Sequence, residues 1–260
     1  MRIFLIVDEI RIYHPEFVAR FLRATPDQVV GAALITKVPK KNNIETYIRN
    51  HWYYLQPGEI GKLAVQRAAA AVMDKVRSLK NKKDRFYSVR SVLEHYNIDF
   101  FEVQNNINKP EYLDRMRAKA VDVIVSSNSL IFKKELLGLP SICCVNRHSA
   151  LLPSYGGLWP VFQAFRSGEK YVGVTVHTME TKIDKGIVLA QTRICIEPGN
   201  TIADLYKKCF RVSSEVLLEA LEKVSRNDFT PHPTDTQPSY FSFPTKEHWL
   251  EFRKRNGRFI

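Results

Sequence analysis

With 260 residues, 45% of them hydrophobic and 11% aromatic, the chain has apolar material for one substantial core or a core with a small appendage, which excludes a disordered polypeptide. Lys and Arg total 39 against 27 Asp and Glu, a formal net charge of +12. No window nears the ~18 unbroken apolar residues of a membrane-spanning helix, so no integral membrane association is expected.

Met1 leads directly into RIFLIVD (2–8), which reads as an apolar strand and not as a secretory leader, so a cytoplasmic protein is expected. PEFVARFLRAT (15–25) has helical spacing and QVVGAALI (28–35) is a second buried strand, giving a βαβ opening. A long helix over 61–80, a helix near 86–97, a strand over 98–103, a helix near 110–119 and a strand over 121–127 follow. Then come strand-like ICCVN (142–146), a helix over 159–167, strands over 173–179 and 186–196, and a helix over 201–225. This alternation predicts an α/β fold built on an open, largely parallel, Rossmann-like sheet. Residues 226–260, with Pro231, Pro233, Pro238 and Pro244, read as a short C-terminal extension ending in a short helix. The expected division is a catalytic domain over 1–225 with a basic insertion at about 37–85, followed by that extension.

The charge is regional. Residues 37–85 hold twelve Lys and Arg but four acids, which accounts for +8 of the net +12. Such a stretch is either a solvated helix face or a surface that meets phosphate oxygens. Cys143, Cys144, Cys195 and Cys209 lie in apolar segments without CxxC spacing, so reduced thiols are expected. The eleven glycines form neither GxGxxG nor GxxxxGK[ST], and HExxH and GxSxG are missing too. Dinucleotide, P-loop, zincin and serine-hydrolase chemistry therefore have no support.

A sheet of this kind binds ligands at the carboxyl ends of its strands, which directs attention to CCVNRHSALLPSYGGLWP (143–160). In an extended chain Asn146 and His148 fall on one face and Arg147 on the other. An Asn amide can donate to a developing oxyanion, and an imidazole moves protons near neutral pH. Asp184, in the loop METKIDKG, is a group able to orient that imidazole. A strand-end Asn and His also serve as ordinary caps and turn residues, and the residues alone leave both readings open.

The segment VNRHSALLPSYGGLWPVFQAFRSGEKYVGVTVHTMETKIDKG (145–186) resembles the signature of the folate-dependent formyltransferases. That pattern runs N-x-H-x-S-L-L-P, an aromatic or basic residue before Gly, a Pro, G-x-x-x-x-G-v-T-h, and D-x-G. VDVIVSSNSLIFKKELLGLP (121–140) is similar to the family's strand and folate-facing loop, and the order of elements resembles the family over about residues 1–220. The resemblance implies the formyltransferase fold and transfer of a formyl group from N10-formyltetrahydrofolate to a primary amine, with no covalent enzyme intermediate and no metal. It implies that Asn146 and His148 hold the oxyanion, that His148 handles the proton and that Asp184 positions it. It also implies that the backbone of Ser129, Leu130, Ile131 and Phe132, with the loop that begins at His177 and Thr178, holds the pterin. His177 is read as a strand residue bordering that slot and not as a proton carrier.

Three departures accompany the resemblance: Ala150 stands where the pattern has Ser, Gly156-Gly157 where members often carry Arg-Gly, and Asp184-Lys185-Gly186-Ile187 where they often carry D-x-G-D-I. The second removes a guanidinium expected near Tyr155. Methionyl-tRNA formyltransferases append a β-barrel for which too few residues follow the last long helix, and formyltetrahydrofolate deformylases carry a domain before the core. Glycinamide ribonucleotide transformylases have little like residues 37–85. Sugar N-formyltransferases resemble the chain best, which implies a nucleotide-linked amino deoxysugar as acceptor, a GDP- or dTDP-4-amino-4,6-dideoxysugar with GDP-perosamine favoured, for surface polysaccharide such as O-antigen.

The acceptor contacts expected on this reading are Tyr155, with Arg11 and Arg85 for phosphate charge and Trp52, Tyr53 and Tyr54 for stacking on a base; the two arginines also read as solvated surface residues, and the three rings as an anchor that packs the insertion onto the core. A homodimer with residues 226–260 at its interface is expected, and WLEFRKR (249–255) offers a short docking face. The competing readings are a glycinamide ribonucleotide transformylase and a basic nucleic-acid-binding protein. An intact Asn146, His148 and Asp184 argues against the second, so no nucleic acid partner is expected.

Overall fold

Every residue of Ile3–Asp8 (β1) is buried, because this strand is covered on both faces and flanked on both edges. The computed structural model describes residues 1–10, 12–39, 44–80 and 86–260. In it β1 pairs in parallel with Val29–Lys37 (β2) on one side and Val123–Ser127 (β4) on the other. Phe100–Gln104 (β3) extends the sheet beyond β2, and Cys143–His148 (β5) beyond β4, both in parallel. Tyr171–Thr178 (β7) then runs antiparallel to β5, and Val188–Cys195 (β8) antiparallel to β7. The seven-stranded order β3-β2-β1-β4-β5-β7-β8 reverses direction between β1 and β4, the topological switch at which open α/β sheets form their ligand crevice, at the carboxyl ends of the strands.

Alternation along the strands sorts the core into two layers. From β1, Ile3, Leu5 and Val7 join a cluster with Phe17 and Phe21 of His14–Ala24 (α1) and Leu217 and Leu221 of Ile202–Ser225 (α8). Phe4 and Ile6 face the other way, toward Leu113 and Met116 of Pro110–Arg117 (α5) and Leu136 of Lys134–Leu137 (α6). The helix α8 starts at a reciprocal cap: the Asp204 amide donates to Thr201 Oγ1 at 3.1 Å and the Thr201 amide donates to Asp204 Oδ2 at 3.0 Å. Val89–His95 (α4) and Pro160–Ser167 (α7) complete the first layer.

The chain after α8 is more deeply engaged than an extended appendage implies. Tyr240–Phe241 (β9) pairs in parallel with Gly156–Gly157 (β6). Lys246–Lys254 (α9) buries Trp249 and Phe252 among Trp159, Phe162 and Phe165. It also grips the insertion, through helices Ile44–Asn50 (α2) and Pro57–Lys80 (α3). The Trp249 indole donates to Tyr47 Oη at 2.7 Å, and the Arg253 guanidinium pairs with the buried Glu59 at 2.6 Å. Neither α2 nor the β6–β9 pair is among the predicted elements, and α3 begins four residues before its expected start.

Candidate active site

The face alternation expected at the end of β5 is present. Arg147 turns into the first layer, its Nε donating to Ser213 Oγ at 2.8 Å and its guanidinium lying 3.8 Å over the Phe210 ring. Asn146 and His148 turn to the opposite face, and the antiparallel register sets Asn146 opposite His177 and His148 opposite Thr175.

Asp184 arrives from the β7–β8 loop in a left-handed conformation, φ 53°. Its Oδ2 accepts the Gly157 amide at 2.8 Å and lies 3.9 Å from His148 Nε2, while its Oδ1 lies 3.6 Å from His177 Nε2. The loop is closed by Thr178 Oγ1, which accepts the Ile187 amide at 2.8 Å. Gly186 is required there, since a Cβ would meet the Thr178 carbonyl oxygen at 1.7 Å.

Hydrogen bonding fixes the two remaining groups. Asn146 Oδ1 accepts the Ser126 hydroxyl at 3.0 Å, which orients the amide so that Nδ2 lies 3.3 Å from His177 Nε2. His177 Nδ1 is 2.7 Å from the Thr178 carbonyl, which only accepts, so Nδ1 carries a proton, and Nε2 faces the Asn146 amide. An amide nitrogen has two donors, and His177 takes one. His148 Nε2 lies 3.4 Å from the Tyr155 carbonyl in addition to Asp184, so both groups near it are acceptors. The neutral His148 ring therefore carries its proton on Nε2 and keeps its lone pair on Nδ1.

Burial pushes the Asp184 carboxyl up, but His148, His177 and the Gly157 amide outweigh it and hold the group well below the usual carboxylate range. Burial pushes the His148 imidazole below its ordinary value, against the pull of Asp184 and with added repulsion from Arg147. Both directions describe one state, a carboxylate beside a neutral imidazole. In such a site a fixed carboxylate positions a base and stabilises the cation that forms when it accepts a proton.

The expected pterin residues lie across the sheet, beyond β4. Ser129 Oγ donates to Asp8 Oδ2 at 2.8 Å, and the Leu130 amide is taken by Asn128 Oδ1 at 2.7 Å. Asn108 pins the loop from outside, donating to the Ile131 carbonyl at 2.9 Å and accepting the Lys133 amide at 2.7 Å. Phe132 is buried, and Ile131 is the side chain that the loop exposes. Burial pushes the Asp8 carboxyl up to about 7 against the two hydrogen bonds of Ser129, and its Oδ1 has no partner. His177 is buried at the hinge between Asn146 and Asp184, and Thr178 closes the loop.

Of the expected acceptor contacts, Tyr155 stands at the site. Its carbonyl faces His148, its ring stacks on Phe241 with centroids 5.7 Å apart, and its hydroxyl donates to Glu169 at 2.7 Å. It borders a cleft of about 510 Å³ that also includes Ser154, Glu169, Arg193 and Asp235. Asn146, His148 and Asp184 are not part of that cleft's lining. Trp52 and Tyr53 stand largely exposed on a single 3₁₀ turn, anchored by Tyr54 stacking on Trp249 at 5.6 Å. Tyr53 borders a separate cavity of about 560 Å³ with Tyr54, Gln56, Arg253 and Arg258. The contacts of these two rings do not join them to the Asn146–His148–Asp184 group. Arg11 and Arg85 lie outside the described residues. Ser126, Gly157 and the Asn146-facing role of His177 were not expected. The register across β5 and β7, which creates that role, has no signature in a single strand.

The four cysteines are unpaired, and among the described residues no cluster of His, Cys, Asp or Glu is suited to a metal ion. No helix among them is long and apolar enough to cross a membrane.

A family model described as formyl transferase matches residues 61–221. A methionyl-tRNA formyltransferase of Thermotoga sp. (strain RQ2) is 36% identical over 141 residues, covering 54% of this chain and 45% of that protein. The match to such curated relatives thus spans about half of their length. Among solved structures, glycinamide ribonucleotide transformylase 1 from Symbiobacterium toebii superposes with a TM-score of 0.59 at 16% identity, over 87% of this chain and 88% of that one. An N-formyltransferase from Helicobacter canadensis, in complex with folinic acid and dTDP-3-aminofucose, gives a TM-score of 0.54 at 17% identity, over 94% of this chain and 71% of that one. At such identities the two likenesses are of fold.

Proposed function

The chain belongs to the formyl transferase family, and we propose that it moves a formyl group from N10-formyltetrahydrofolate to the amine of a nucleotide-linked amino deoxysugar, with Asn146, His148 and Asp184 as its catalytic residues. One observation carries this reading: an oriented amide, a neutral imidazole and a buried carboxylate converge at the carboxyl end of β5.

The acceptor amine attacks the formyl carbon, and the Asn146 N–H not engaged by His177 donates to the oxyanion that develops. His148 takes the amine proton at Nδ1, while Nε2 remains turned toward Asp184, whose negative charge stabilises the imidazolium. Collapse of the tetrahedral adduct breaks the bond to N10, and His148 returns the proton to that nitrogen. Asp184 stays ionised throughout.

The loop Ser129–Phe132 suits the folate because it is pinned at both ends, and the unpartnered Asp8 Oδ1 beside it is an acceptor of the kind a pterin's N–H groups need. His177 and Thr178 border the same crevice from β7. The Helicobacter canadensis protein, whose fold this chain shares, was captured with folinic acid and a dTDP-linked amino sugar, which supports an acceptor of that class. Within it GDP-perosamine is the favoured substrate, residues 226–260 form the extension of a 1–225 catalytic domain, and two copies make the working enzyme.

Incubation with N10-formyltetrahydrofolate and a panel of GDP- and dTDP-linked 3-amino and 4-amino sugars, with glycinamide ribonucleotide beside them, tests this, read by mass spectrometry for the ~28 Da gain of a formyl group. A gain on glycinamide ribonucleotide alone would replace the sugar with that acceptor.

A further inference from the structure

Gly156 stands where members of the family often carry Arg, and the space beside it and Gly157 is filled from 84 residues away. The segment after Pro238 runs alongside the loop: the Tyr155 amide donates to Ser239 Oγ at 2.8 Å, the Gly156 amide to the Ser239 carbonyl at 3.0 Å and the Leu158 amide to the Phe241 carbonyl at 2.8 Å. This pairing lays the Tyr240 ring across both glycines. A Cβ on Gly156 would meet Tyr240 Cδ2 at 3.3 Å and Asp184 Cβ at 3.5 Å, and one on Gly157 would meet Tyr240 Cζ at 3.0 Å.

Tyr240 is thus held rigidly by its backbone, yet its side chain is 54% exposed. Its neighbour Phe241 turns to the other side and stacks on Tyr155, so the two rings divide the work. The ring is packed on one face and open on the other, and the point that a Gly156 Cβ would occupy lies within 3.5 Å of both this ring and Asp184 Cβ. Burial, and next the charge of Asp184, push the phenol above its ordinary value, so it remains a hydroxyl donor.

We propose that Tyr240 is a substrate-contacting residue, the platform on which the amine-bearing ring of the acceptor rests while its amine faces His148 and Asp184. The inference rests on the formyl-transfer reading above and adds to it a wall supplied by the chain after α8. The amine-bearing ring is singled out because Tyr240 and Asp184 flank Gly156 together, whereas a base or diphosphate linked to that ring extends away from the reacting nitrogen. A saturated, hydroxylated ring offers C–H groups to the aromatic face and hydroxyls to the phenol.

Steady-state kinetics on the full chain test the proposal, with N10-formyltetrahydrofolate and three acceptors in parallel: GDP-perosamine, dTDP-4-amino-4,6-dideoxyglucose and glycinamide ribonucleotide. For whichever sugar the wild type uses, Tyr240→Ala is expected to raise its KM about tenfold and Tyr240→Phe about twofold to threefold, with the KM for the folate within about twofold of wild type. Calorimetric affinity for the bare nucleotide, GDP or dTDP, is expected to stay unchanged. An unchanged acceptor KM in Tyr240→Ala, or an equal loss for the bare nucleotide, overturns the platform while leaving the transfer reading intact. Turnover of glycinamide ribonucleotide alone, whose amine is on an acyclic glycyl group, overturns the sugar and the ring platform while keeping formyl transfer. A wild type inactive on all three overturns the platform and the transfer reading alike.

Discussion

Gly157 donates its backbone N–H to Asp184 Oδ2 at 2.8 Å, and it does so from φ +91°, a conformation that residues with a side chain rarely adopt. A Cβ at this position would meet the Phe241 carbonyl oxygen at 2.1 Å. One residue therefore ties the carboxylate of the site to the strand that arrives after α8. Gly157→Ala is expected to push β9 away and release Asp184, lowering kcat by about tenfold or more and stability by about 1–3 kcal/mol. Turnover and urea unfolding of the variant check both numbers, and wild-type turnover would remove the hydrogen bond from the machinery.

His148→Asn deletes the group that holds the lone pair and keeps a smaller polar side chain. Turnover is expected to fall by about 10²–10⁴ while binding of folinic acid persists. Fluorescence titration with folinic acid separates the two effects. Loss of binding together with turnover would mark His148 as a structural residue of the crevice.

Asp184→Asn removes the charge that opposes the depression of the His148 imidazole. On the proposed mechanism the neutral form of His148 is the active base, so activity is expected to fall as pH drops through its depressed pKa. Without the carboxylate that pKa drops further, and the acid limb of the kcat profile moves to lower pH. The plateau is expected to fall by about 10²–10⁴ at the same time, since the imidazolium loses its partner. A lower plateau with an unshifted limb would mean that Asp184 holds the loop and not the base.

Much of this arrangement is legible in the residues. The runs IFLIVD and VIVSS read as strands because both of their faces are apolar, and Asn146 and His148 share a face because a strand repeats every two residues. A buried run looks the same in either direction, so the antiparallel entry of β7, and with it the pairing of Asn146 with His177, was hidden. Trp52 and Tyr53 drew attention by residue type alone, and their surroundings on an exposed turn are set by Tyr54 and Trp249, which are far apart in sequence. The two-residue pairing of Gly156–Gly157 with Tyr240–Phe241 is too short to leave a periodic pattern.

Asp8 supplies a test of the crevice by pH. Its folded pKa of about 7 lies above its ordinary 3.8, so the folded state binds more protons between those values. Its contribution is fully favourable below pH 3.8 and is lost as pH rises through 7. Asp8→Asn keeps an acceptor for Ser129 and abolishes the buried charge. Its melting temperature is expected to exceed that of wild type by a few degrees at pH 8, with a smaller difference at pH 5. An equal difference at both values would show that Asp8 does not titrate in this window.

Phe252 is fully buried between Phe162, Phe165 and Trp249. Phe252→Ala is expected to cost about 3–5 kcal/mol, and unfolding followed by tryptophan fluorescence and by far-UV dichroism should still coincide. Two separated transitions would mean that α9 unfolds independently of the sheet.

The hydrogen bond from Tyr155 to Ser239 spans 84 residues. As the chain is made, Asn146, His148 and Asp184 therefore leave the ribosome well before the strand that completes their surroundings. A nascent chain holding all three still lacks the strand that pairs with Gly156–Gly157 and the Tyr240 ring that packs on them. On the proposed mechanism, catalytic competence waits for that late pairing.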